Sequence, residues 1–509
     1  MRRYFDDLIM TNLYLFTTAF IFLIGLGVLA IVVMFFIDIT QNKDVVRRNY
    51  PVVGRFRSFF TTLGEFFRQY FFAMDREEMP FNRAERDWIG RAAKDDDNTL
   101  AFGSSKVLTV PGTAIFVNCP FPTLDDDAIK VQPLRIGAGC AKPYDAHSFF
   151  NISAMSYGAL STPAVKALSA GAKMAGCWMN TGEGGLSPYL LEGGADIIFQ
   201  IGTAKYGVRD DSGILCDDKL REIAAHEQVK MFELKMSQGA KPGKGGILPG
   251  MKVTAQIAEI RGIPEGEDSI SPNRHPEIKD AASMLDMINH IRDVTGKPVG
   301  FKAVVGSYGW LSDLAIEIHS RGIQSAPDFI TVDSGDGGTG AAPMPLMDNV
   351  GLVVRESLPL VVDILTEYGL RERIKVIASG KLVTPSEVAW ALATGADFIN
   401  SARGFMFSLG CIQSLKCNKN TCPTGITTHN KRLQRGLDPA SKSVKVANFC
   451  KNLVHEVEMI SHSCGVGRPR LLKRKHVRIV LPDGISVPMD ERYPYKDILP
   501  EYAPKTAAE

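Results

Sequence analysis

The sequence lacks a strong charge bias, because 58 Lys and Arg residues nearly balance 56 Asp and Glu residues and leave a net charge of +2. Charged residues make up 22% of the chain, an ordinary share for a folded protein. The composition therefore indicates neither nucleic-acid binding nor disorder. With 509 residues, the chain has room for roughly two to four domains, or for one large α/β barrel with additions.

The sequence also lacks a disulfide framework and a nicotinamide-binding motif. Nine cysteines in a chain of this length do not resemble a disulfide framework, and their clustering favours a reducing compartment and a metal centre. No strand–GxGxxG–helix unit is present, so a nicotinamide-binding Rossmann site is not predicted. The glycine pair Gly25 and Gly27 lies within an apolar run and does not change this conclusion.

That apolar run, Leu13–Ile37, contains no charged residue. As a helix it is roughly 37 Å long at 1.5 Å per residue, enough to cross a hydrocarbon core of about 30 Å. It is longer than the apolar part of a signal peptide, so we predict an uncleaved transmembrane helix over residues 13–37. Its flanking basic residues are Arg2 and Arg3 before it, and Lys43, Arg47, Arg48, Arg55 and Arg57 after it. This bias predicts a single-pass protein of the cell membrane with a cytoplasmic C-terminal part.

Residues 38–104 are predicted to be a juxtamembrane amphipathic segment and linker. Apolar residues recur there at helical spacing, namely Phe56, Phe59, Phe60, Leu63, Phe66, Phe67 and Tyr70. This face suits the membrane interface, packing on the main domain, or a protein partner, and the pattern leaves all three open. The polar stretch from Arg76 to Ser104 indicates an exposed lead-in.

From about residue 150, short β-branched runs alternate with helical patterns, as in repeated βα units. The predicted strands are Phe150–Met155, Trp178–Thr181, Ile197–Ile201, Met231–Met236, Val299–Val305, Phe329–Asp333, Lys375–Ala378 and Asp397–Asn400. The predicted helices are Pro163–Ala175, Met284–Val294, Leu311–Ser320, Gly351–Tyr368 and Pro385–Ala393. This order indicates an α/β fold, a (β/α)8 TIM barrel spanning residues 105–435, with its site at the carboxyl ends of the strands. Residues 436–509 are predicted to form a C-terminal helix and tail.

Glycine-rich polar runs follow most of these strands. They are SAMSYG at 153–158, NTGEGG at 180–185, LKMSQGAKPGKGGILPG at 234–250, DSGDGGTG at 333–340, SG at 379–380 and SARG at 401–404. One such loop is weak evidence, since glycine also serves ordinary turns. Their recurrence at strand ends favours a ligand site.

Three cysteines follow the eighth strand in a loop at 411–422, with the spacing C-x5-C-x4-C: Cys411, Cys417 and Cys422. Thiolates clustered so closely suit an iron–sulfur centre, and Lys416 and Lys419 would favour the thiolate form. Three ligands fit a three-iron cluster. A four-iron cluster needs a fourth ligand, for which Cys450 and Cys464 are the nearest candidates. Free thiols in a loop are the plain alternative.

A phosphate site is predicted after the seventh and eighth strands, where such barrels commonly hold one. Backbone N–H groups of Gly380 and of residues 402–404 are its candidate donors, with Arg403 for charge pairing. A phosphate site beside an iron–sulfur loop suggests FMN, and Lys302 on the fifth strand is predicted to lie near the flavin ring. The alternative for Lys302 is a structural lysine paired with a carboxylate.

Residues 150–430 closely resemble the FMN-binding synthase domain of glutamate synthase. The matching pieces are SAMSYGALS, NTGEGG, LKMSQGAKPGKGGILPG, SGDGGTGAAP and LGCIQSLKCNKNTCPTGI, in the family's order. The resemblance implies a barrel that binds FMN and a [3Fe–4S] cluster held by the three loop cysteines. It also implies that 2-oxoglutarate and ammonia form 2-iminoglutarate, which takes hydride from reduced flavin to give L-glutamate.

The resemblance also suggests roles for individual residues. Lys235 and Lys241 are expected to bind the dicarboxylate, and Glu183 to handle protons or orient the imine nitrogen. The alternatives are solvated loop charges for the lysines and a capping role for Glu183. The residues expected to bind FMN are Ser153, Met155, Ser156, Thr181, Gln238, Lys302, Asp336, Gly337, Gly338, Thr339, Gly380, Ala402 and Arg403.

The chain departs from the family pattern in two places. The strand-four loop of the family reads GEGGQLPG, whereas Lys244 replaces the acid here and Ile247 replaces a glutamine of the substrate region. The family's amidotransferase domain begins with a catalytic cysteine, whereas this sequence begins Met1-Arg2-Arg3. We therefore expect free or partner-supplied ammonia, and an external electron donor that is either ferredoxin or a separate NAD(P)H-oxidising subunit.

Three interpretations follow. The first is a membrane-anchored glutamate synthase relative. The second, motivated by Ile247 and the apolar run, is a related flavin and iron–sulfur oxidoreductase of amines or amino acids that feeds a membrane electron carrier. The third is a scaffold without activity, against which the intact glycine loops and cysteines argue. A nucleotide dehydrogenase barrel would need only one reactive loop cysteine and is disfavoured.

Overall fold

A computed structural model describes residues 2–41 and 44–503. The chain divides into two compact units, Met1–Ala84 and Glu85–Glu509. Lys43, one of the basic residues behind the topology prediction, lies outside the described residues.

The first unit is helical. Its first helix, Arg2–Thr40, includes the predicted span, and Ile9–Thr40 is long and apolar enough to cross a membrane. Helices Val45–Asn49 and Gly54–Phe67 follow, and a π-helical turn, Arg68–Phe72, extends the last of them. The aromatic pattern at helical spacing is therefore confirmed as a helix.

A lead-in helix, Arg83–Lys94, occupies part of the stretch that we expected to be an exposed linker. From residue 85 on it belongs to the second unit, where Ile89, Ala92 and Ala93 are buried. Asn452 caps it by donating to the Ala92 carbonyl at 2.9 Å. The prediction of an exposed lead-in is wrong here, because the small apolar residues between the charges pack against a helix that lies far away in sequence.

Eight parallel strands close into a barrel, as predicted. In chain order they are Phe150–Ile152, Met179–Asn180, Ile197–Ile201, Val229–Lys235, Val299–Val304, Phe329–Asp333, Lys375–Ser379 and Phe398–Ser401. We number them one to eight. Strand eight pairs with strand one and closes the barrel. The strands form because β-branched and aromatic runs are buried inside the barrel and under its helices.

The helices around the barrel are Thr162–Ala175, Asp217–Ala225, Ala281–Thr295, Gly309–Arg321, Val354–Glu367 and Pro385–Thr394. Shorter ones are Pro188–Glu192, Ala255–Arg261, Arg403–Ser408, Lys431–Gln434 and Met489–Arg492. Ser161 caps helix Thr162–Ala175 by accepting the Ala164 N–H, and Pro163 lies in the first turn of that helix.

The C-terminal helix, Pro439–Ser463, packs along helix Thr162–Ala175. The two backbones approach closely at Gly171, where a Cβ atom would lie 2.5 Å from Val446. A glycine is required at this crossing. Strands Ala114–Phe116, Val477–Val480 and Ser486–Pro488 form a separate small sheet.

A hairpin covers the amino-terminal end of the barrel. Its strands, Leu134–Ile136 and Tyr144–Ala146, pack Ile136 and Tyr144 against Trp178 and Phe398, which lie where strands two and eight begin. This end is filled with apolar side chains. The carboxyl ends of the strands form the opposite, polar mouth.

Candidate active site

Glu183 and Lys235 form an ion pair at the mouth of the barrel. Glu183 lies in a one-turn helix, Gly182–Gly184, after strand two, and Lys235 is the last residue of strand four. Lys235 Nζ is 3.0 Å from Glu183 Oε1 and also donates to the side-chain oxygen of Gln238. The structure thus brings together two predicted catalytic residues and one predicted cofactor residue.

More positive charge surrounds Glu183. Burial disfavours its ionisation, but Lys235, followed by Lys241 and Arg261, holds the pKa of Glu183 below its usual value. Burial, together with the charge of Lys235, lowers the pKa of Lys241 to about 8. Three cations around one carboxylate leave a net positive mouth that suits an anionic ligand.

Glycines enclose the Glu183 side chain. A Cβ at Gly202 would lie 2.6 Å from the Cβ of Glu183, and one at Gly246 would lie 2.1 Å from its Oε1. A side chain at Gly202 would clash with the base of Glu183, and one at Gly246 would displace its carboxylate, because the loops after strands three and four touch this residue. Ile247, next in the chain, pairs with Ile270 in a two-stranded ladder beside the site.

Arg261 is a residue of the site that sequence reasoning missed. It ends helix Ala255–Arg261, where a basic residue usually serves only the helix dipole. Here it is buried, and its guanidinium donates to Ser269 Oγ at 3.1 Å and to the Tyr157 carbonyl at 3.2 Å. Burial lowers its pKa, while Glu183 acts in the opposite direction.

Lys302 on strand five pairs with Asp333 at the end of strand six, with Nζ 3.1 Å from Oδ2. Both are buried, and Asp333 also accepts the Gly239 N–H at 2.9 Å. Burial opposes both charges, yet the pair raises the pKa of Lys302 and lowers that of Asp333. The carboxylate partner that a structural role for Lys302 requires is therefore present. The ion pair also places the Lys302 ammonium group at the carboxyl ends of the strands.

Loops six, seven and eight meet at the predicted phosphate site. Arg403 donates to the Asp336 carbonyl at 3.5 Å, and Asp336 pairs with Lys381 at 2.9 Å. A Cβ at Gly338 would lie 2.9 Å from Arg403 Nε, and Gly380 has φ +120° with Ser334 directly against it. Lys381, which directly follows Gly380, is a second cation that sequence reasoning missed.

These loops fit an anionic group. Ser401 Oγ is buried at the end of strand eight and has no hydrogen-bond partner within the described part of the chain. The first N–H groups of helix Arg403–Ser408 have no carbonyl of their own helix to bond. Gly338 and Gly380 let these loops pack directly against Arg403 and Ser334, where a side chain at either glycine would clash.

The other residues expected at the cofactor site are distributed along the same rim. The Ser153 N–H donates to the Ser401 carbonyl at 3.0 Å, and the Met155 N–H to the Asn180 carbonyl at 3.4 Å. The backbone at Ser156 leaves no space for a Cβ at Gly182. The Thr181 hydroxyl is engaged within the protein, donating to the Gly182 carbonyl and accepting the Gln200 N–H.

The strand-six loop carries two more of them, Gly337 and Thr339, and Ala402 caps the start of helix Arg403–Ser408. The Gly337 N–H donates to the Ser334 carbonyl at 2.8 Å, and the Thr339 hydroxyl donates to the Ala341 carbonyl at 3.4 Å. Gly239 approaches this loop so closely that a Cβ would lie 2.6 Å from the Gly337 Cα. The loops after strands four and six therefore form one continuous wall.

The three loop cysteines lie close enough to influence one another. Burial raises the pKa of Cys411 to about 11, and the neighbouring sulfurs of Cys417 and Cys422 act in the same direction. Cys422 lies 3.3 Å from the Thr424 hydroxyl, and hydrogen bonds of this kind lower its pKa despite burial. Among residues 2–41 and 44–503, no three His, Cys, Asp or Glu side chains are arranged to hold a single metal ion. The [3Fe–4S] cluster on Cys411, Cys417 and Cys422 therefore stays a prediction.

A buried lysine, Lys252, accompanies the thiols. It donates to the carbonyls of Ala159 at 2.7 Å and Cys417 at 3.3 Å, and it lies near the sulfurs of Cys417 and Cys422. The lysines predicted for this role, Lys416 and Lys419, are exposed. Sequence reasoning missed Lys252 because it follows the strand-four loop, 165 positions before Cys417.

The two proposed fourth ligands lie in other surroundings. Cys450 contacts the Phe150 carbonyl at 3.6 Å, and it raises the pKa of buried Cys177 through a hydrogen bond. Cys464 lies near Cys119 at the end of the C-terminal helix. No contact described for either residue supports a fourth ligand.

These features define an α/β-barrel protein with a cationic mouth, a rim of glycines and basic residues, and a loop of three clustered thiols. Residues 126–467 match the conserved region in glutamate synthase, which is more than half of the chain. The chain therefore belongs to the glutamate synthase family.

Two relatives of similar sequence carry glutamate synthase names. The chain is 39% identical over 511 residues to the glutamate synthase large subunit-like protein YerD of Bacillus subtilis, with 92% of this chain and 97% of YerD covered. It is 33% identical over 355 residues to the archaeal glutamate synthase [NADPH] of Methanocaldococcus jannaschii, with 69% of this chain but only 66% of that protein covered. Among solved structures, it is similar to the flavin-binding domain of baker's yeast flavocytochrome b2, with TM-score 0.46 and 15% identity, covering 84% of this chain and 86% of that one.

Proposed function

We propose that this protein forms L-glutamate by reductive amination of 2-oxoglutarate with ammonia, using FMN and electrons that arrive through a [3Fe–4S] cluster. The observation that carries the proposal is the buried group of Glu183, Lys235 and Lys241 at the barrel mouth. Membership of the glutamate synthase family supports it.

The charges of this group suit a dicarboxylate and its imine. The ammonium groups of Lys235 and Lys241 bind the two carboxylates of the substrate, with Arg261 adding to the positive field. Glu183 is ionised, so its carboxylate accepts a hydrogen bond from the imine nitrogen of 2-iminoglutarate. This hydrogen bond orients C2 of the imine. Enclosure by Gly202 and Gly246 limits the access of water to this carboxylate.

The rim formed by loops six to eight fits the phosphate of FMN. Arg403 and Lys381 would supply charge there, and Ser401 Oγ a hydrogen bond. Lys302, held by Asp333, would favour the reduced, anionic isoalloxazine. When bound, the flavin supplies hydride chemistry.

Cys411, Cys417 and Cys422 would hold the cluster, and buried Lys252 would favour their thiolate forms. When bound, the cluster supplies one-electron transfer. Residues 411–437 contain five Lys or Arg residues, all exposed, and no Asp or Glu, and Leu415 is 71% exposed on the same loop. We propose that this basic, apolar surface receives an acidic external donor, either ferredoxin or a separate NAD(P)H-oxidising subunit.

We also propose that helix Ile9–Thr40 anchors the chain in the cell membrane as a single span, with the barrel in the cytoplasm. The length and apolar character of the helix support this placement. Arg47, Arg48, Arg55 and Arg57 after the helix support the orientation.

The decisive assay uses full-length protein prepared without oxygen, with 2-oxoglutarate, ammonium and reduced ferredoxin. We expect glutamate to form and flavin and iron to be present. A preparation that holds FMN but forms no glutamate would rule out this reaction. A colourless protein without flavin or iron would instead favour a scaffold.

A second candidate is an amine or amino-acid oxidoreductase that passes electrons to a membrane carrier. Ile247 favours it, because this apolar residue follows Gly246 at the Glu183 carboxylate. Flavin bleaching by an amine or amino acid, with no glutamate formed from 2-oxoglutarate, would select this candidate.

A further inference from the structure

An aromatic stripe runs along helix Gly54–Phe67 and the π-helical turn Arg68–Phe72, which together we call the interfacial helix. Its aromatic side chains are between 36% and 73% exposed: Phe56, Phe59, Phe60, Phe66, Phe67, Tyr70, Phe71 and Phe72. Water-exposed aromatic surface of this extent is unfavourable for a soluble helix and indicates a binding face.

The rings are continuous along the helix. Phe56 and Phe60 stack with centroids 6.3 Å apart, and Phe66 lies 4.8 Å from Tyr70. The π-helical turn shifts the phase of the chain, so that Phe71 and Phe72 both remain in contact with Phe67, at 5.3 Å and 6.2 Å. A regular α-helix would carry Phe72 away from the stripe.

The start of this helix is fixed to the end of the apolar helix Arg2–Thr40. Asp38 lies in the last turn of that helix and is almost fully buried. It accepts hydrogen bonds from Arg55 Nη2 at 2.7 Å, from Arg55 Nε at 2.8 Å, and from the Val52 N–H at 2.9 Å. The interfacial helix therefore begins within hydrogen-bond distance of the end of the apolar helix.

The connecting turn is constrained. Val52 has φ +66°, a left-handed conformation that is unfavourable for a β-branched residue, and its N–H is held by Asp38. A Cβ at Gly54 would lie 2.9 Å from the Val46 carbonyl. The carboxylate of Asp38 thus supports a specific turn between the two helices as well as neutralising Arg55.

We infer that the interfacial helix lies in the headgroup region of the leaflet from which the apolar helix emerges, with its aromatic stripe towards the acyl chains and its arginines among anionic headgroups. This inference rests on the membrane anchor proposed above. If the apolar helix spans the bilayer, the Asp38–Arg55 pair places Gly54 at the membrane surface. Aromatic rings at this depth and Arg57 and Arg68 on the exposed polar side suit a lipid surface.

The test uses full-length protein in vesicles of phosphatidylcholine and phosphatidylglycerol, with the photocrosslinker p-benzoylphenylalanine at position 60 or 61. Phe60 lies on the stripe, whereas Thr61, its matched control, is also exposed and lies on the polar side, where its hydroxyl donates to the Arg57 carbonyl. We expect lipid adducts to be several-fold more abundant at position 60 than at position 61. The yield at position 60 should fall when phosphatidylglycerol is omitted.

Equal adduct yields at the two positions, or protein adducts at position 60, would overturn the inference. A yield that is independent of phosphatidylglycerol would contradict the part that involves anionic headgroups. Alkaline carbonate extraction of the same vesicles tests the anchor separately. Release of the protein would refute the anchor itself, whereas retention without lipid adducts at position 60 would refute only the interfacial placement.

Discussion

Lys235 Nζ lies 3.0 Å from Glu183 Oε1, and this ion pair joins the end of strand four to the turn after strand two. The pair is enclosed, with 9% and 16% of the respective side chains exposed. Its geometry supports distinct roles for the cation and the anion, and these roles can be separated by substitution.

Replacing Glu183 with Gln keeps the size of the side chain but removes its charge. We expect Glu183→Gln to lower the rate of glutamate formation by about 10²–10⁴-fold, the usual range for a positioned proton-handling group. Steady-state kinetics would measure this effect. Glu192→Gln is the matched control, because Glu192 forms an exposed pair with Lys166 at 2.8 Å and its loss should leave the rate unchanged.

Lys241 predicts a pH dependence of substrate binding. Its folded-state pKa is lowered to about 8, so the lysine is charged below that pH and becomes neutral above it. If Lys241 binds a carboxylate, KM for 2-oxoglutarate should rise with pH above about 8, by about tenfold per pH unit if this charge is essential. Lys241→Arg should abolish that rise, because arginine stays protonated. An unchanged KM–pH profile in Lys241→Met would contradict the role.

Breaking the Lys302–Asp333 ion pair should lower both the stability of the protein and its affinity for flavin. Lys302→Met leaves Asp333 buried without its cation and should lower the free energy of unfolding by about 3–5 kcal/mol. The double variant Lys302→Met with Asp333→Leu should regain much of that stability without regaining flavin affinity. Thermal unfolding in detergent and the flavin absorbance of purified protein would distinguish the two effects. Recovery of flavin in the double variant would show that the pair is only structural.

The thiol loop predicts which cysteines hold iron. Cys417→Ser and Cys422→Ser should lose iron and the low-temperature paramagnetic signal of a three-iron cluster. Cys450→Ser should keep both, because Cys450 packs against strand one. Analysis of iron and sulfide on anaerobic preparations would measure this. If Cys450→Ser lost as much iron as the other two variants, the result would favour a four-iron cluster with Cys450 as its fourth ligand.

The exposed surface of the same loop predicts the route of electrons. Leu415→Glu should slow reduction of the protein by an acidic donor such as ferredoxin, because it places a negative charge on the proposed contact. Reduction by dithionite, which needs no docking, should be unaffected. Ile485→Glu is a control of similar exposure, in the turn before strand Ser486–Pro488. Slowing by both variants would argue against a docking site on the loop.

The barrel was predictable because most strands are short runs rich in β-branched or aromatic residues, and all eight runs became strands. The observed ends of the strands differ from the predicted ends by a few residues. Strand four, for example, was predicted from Met231 and begins at Val229. The lead-in helix was not predicted, because its buried residues Ala92 and Ala93 are small and stand among charges. Its burial depends on Asn452 and its neighbours, which no local pattern reveals.

The sequence by itself determined the apolar helix, the eight strands, the glycine-rich loops at their ends and the three clustered cysteines. These features follow from local composition and spacing, and the carboxyl ends of parallel strands must meet at one mouth. Only the tertiary structure decided that Arg261 joins Glu183 and that Lys252, rather than Lys416 or Lys419, is buried beside the thiols. It likewise decided that Asp38 binds Arg55. The physical reason is that the energy of a buried charge depends on partners brought from distant parts of the chain, and their distances are set by packing.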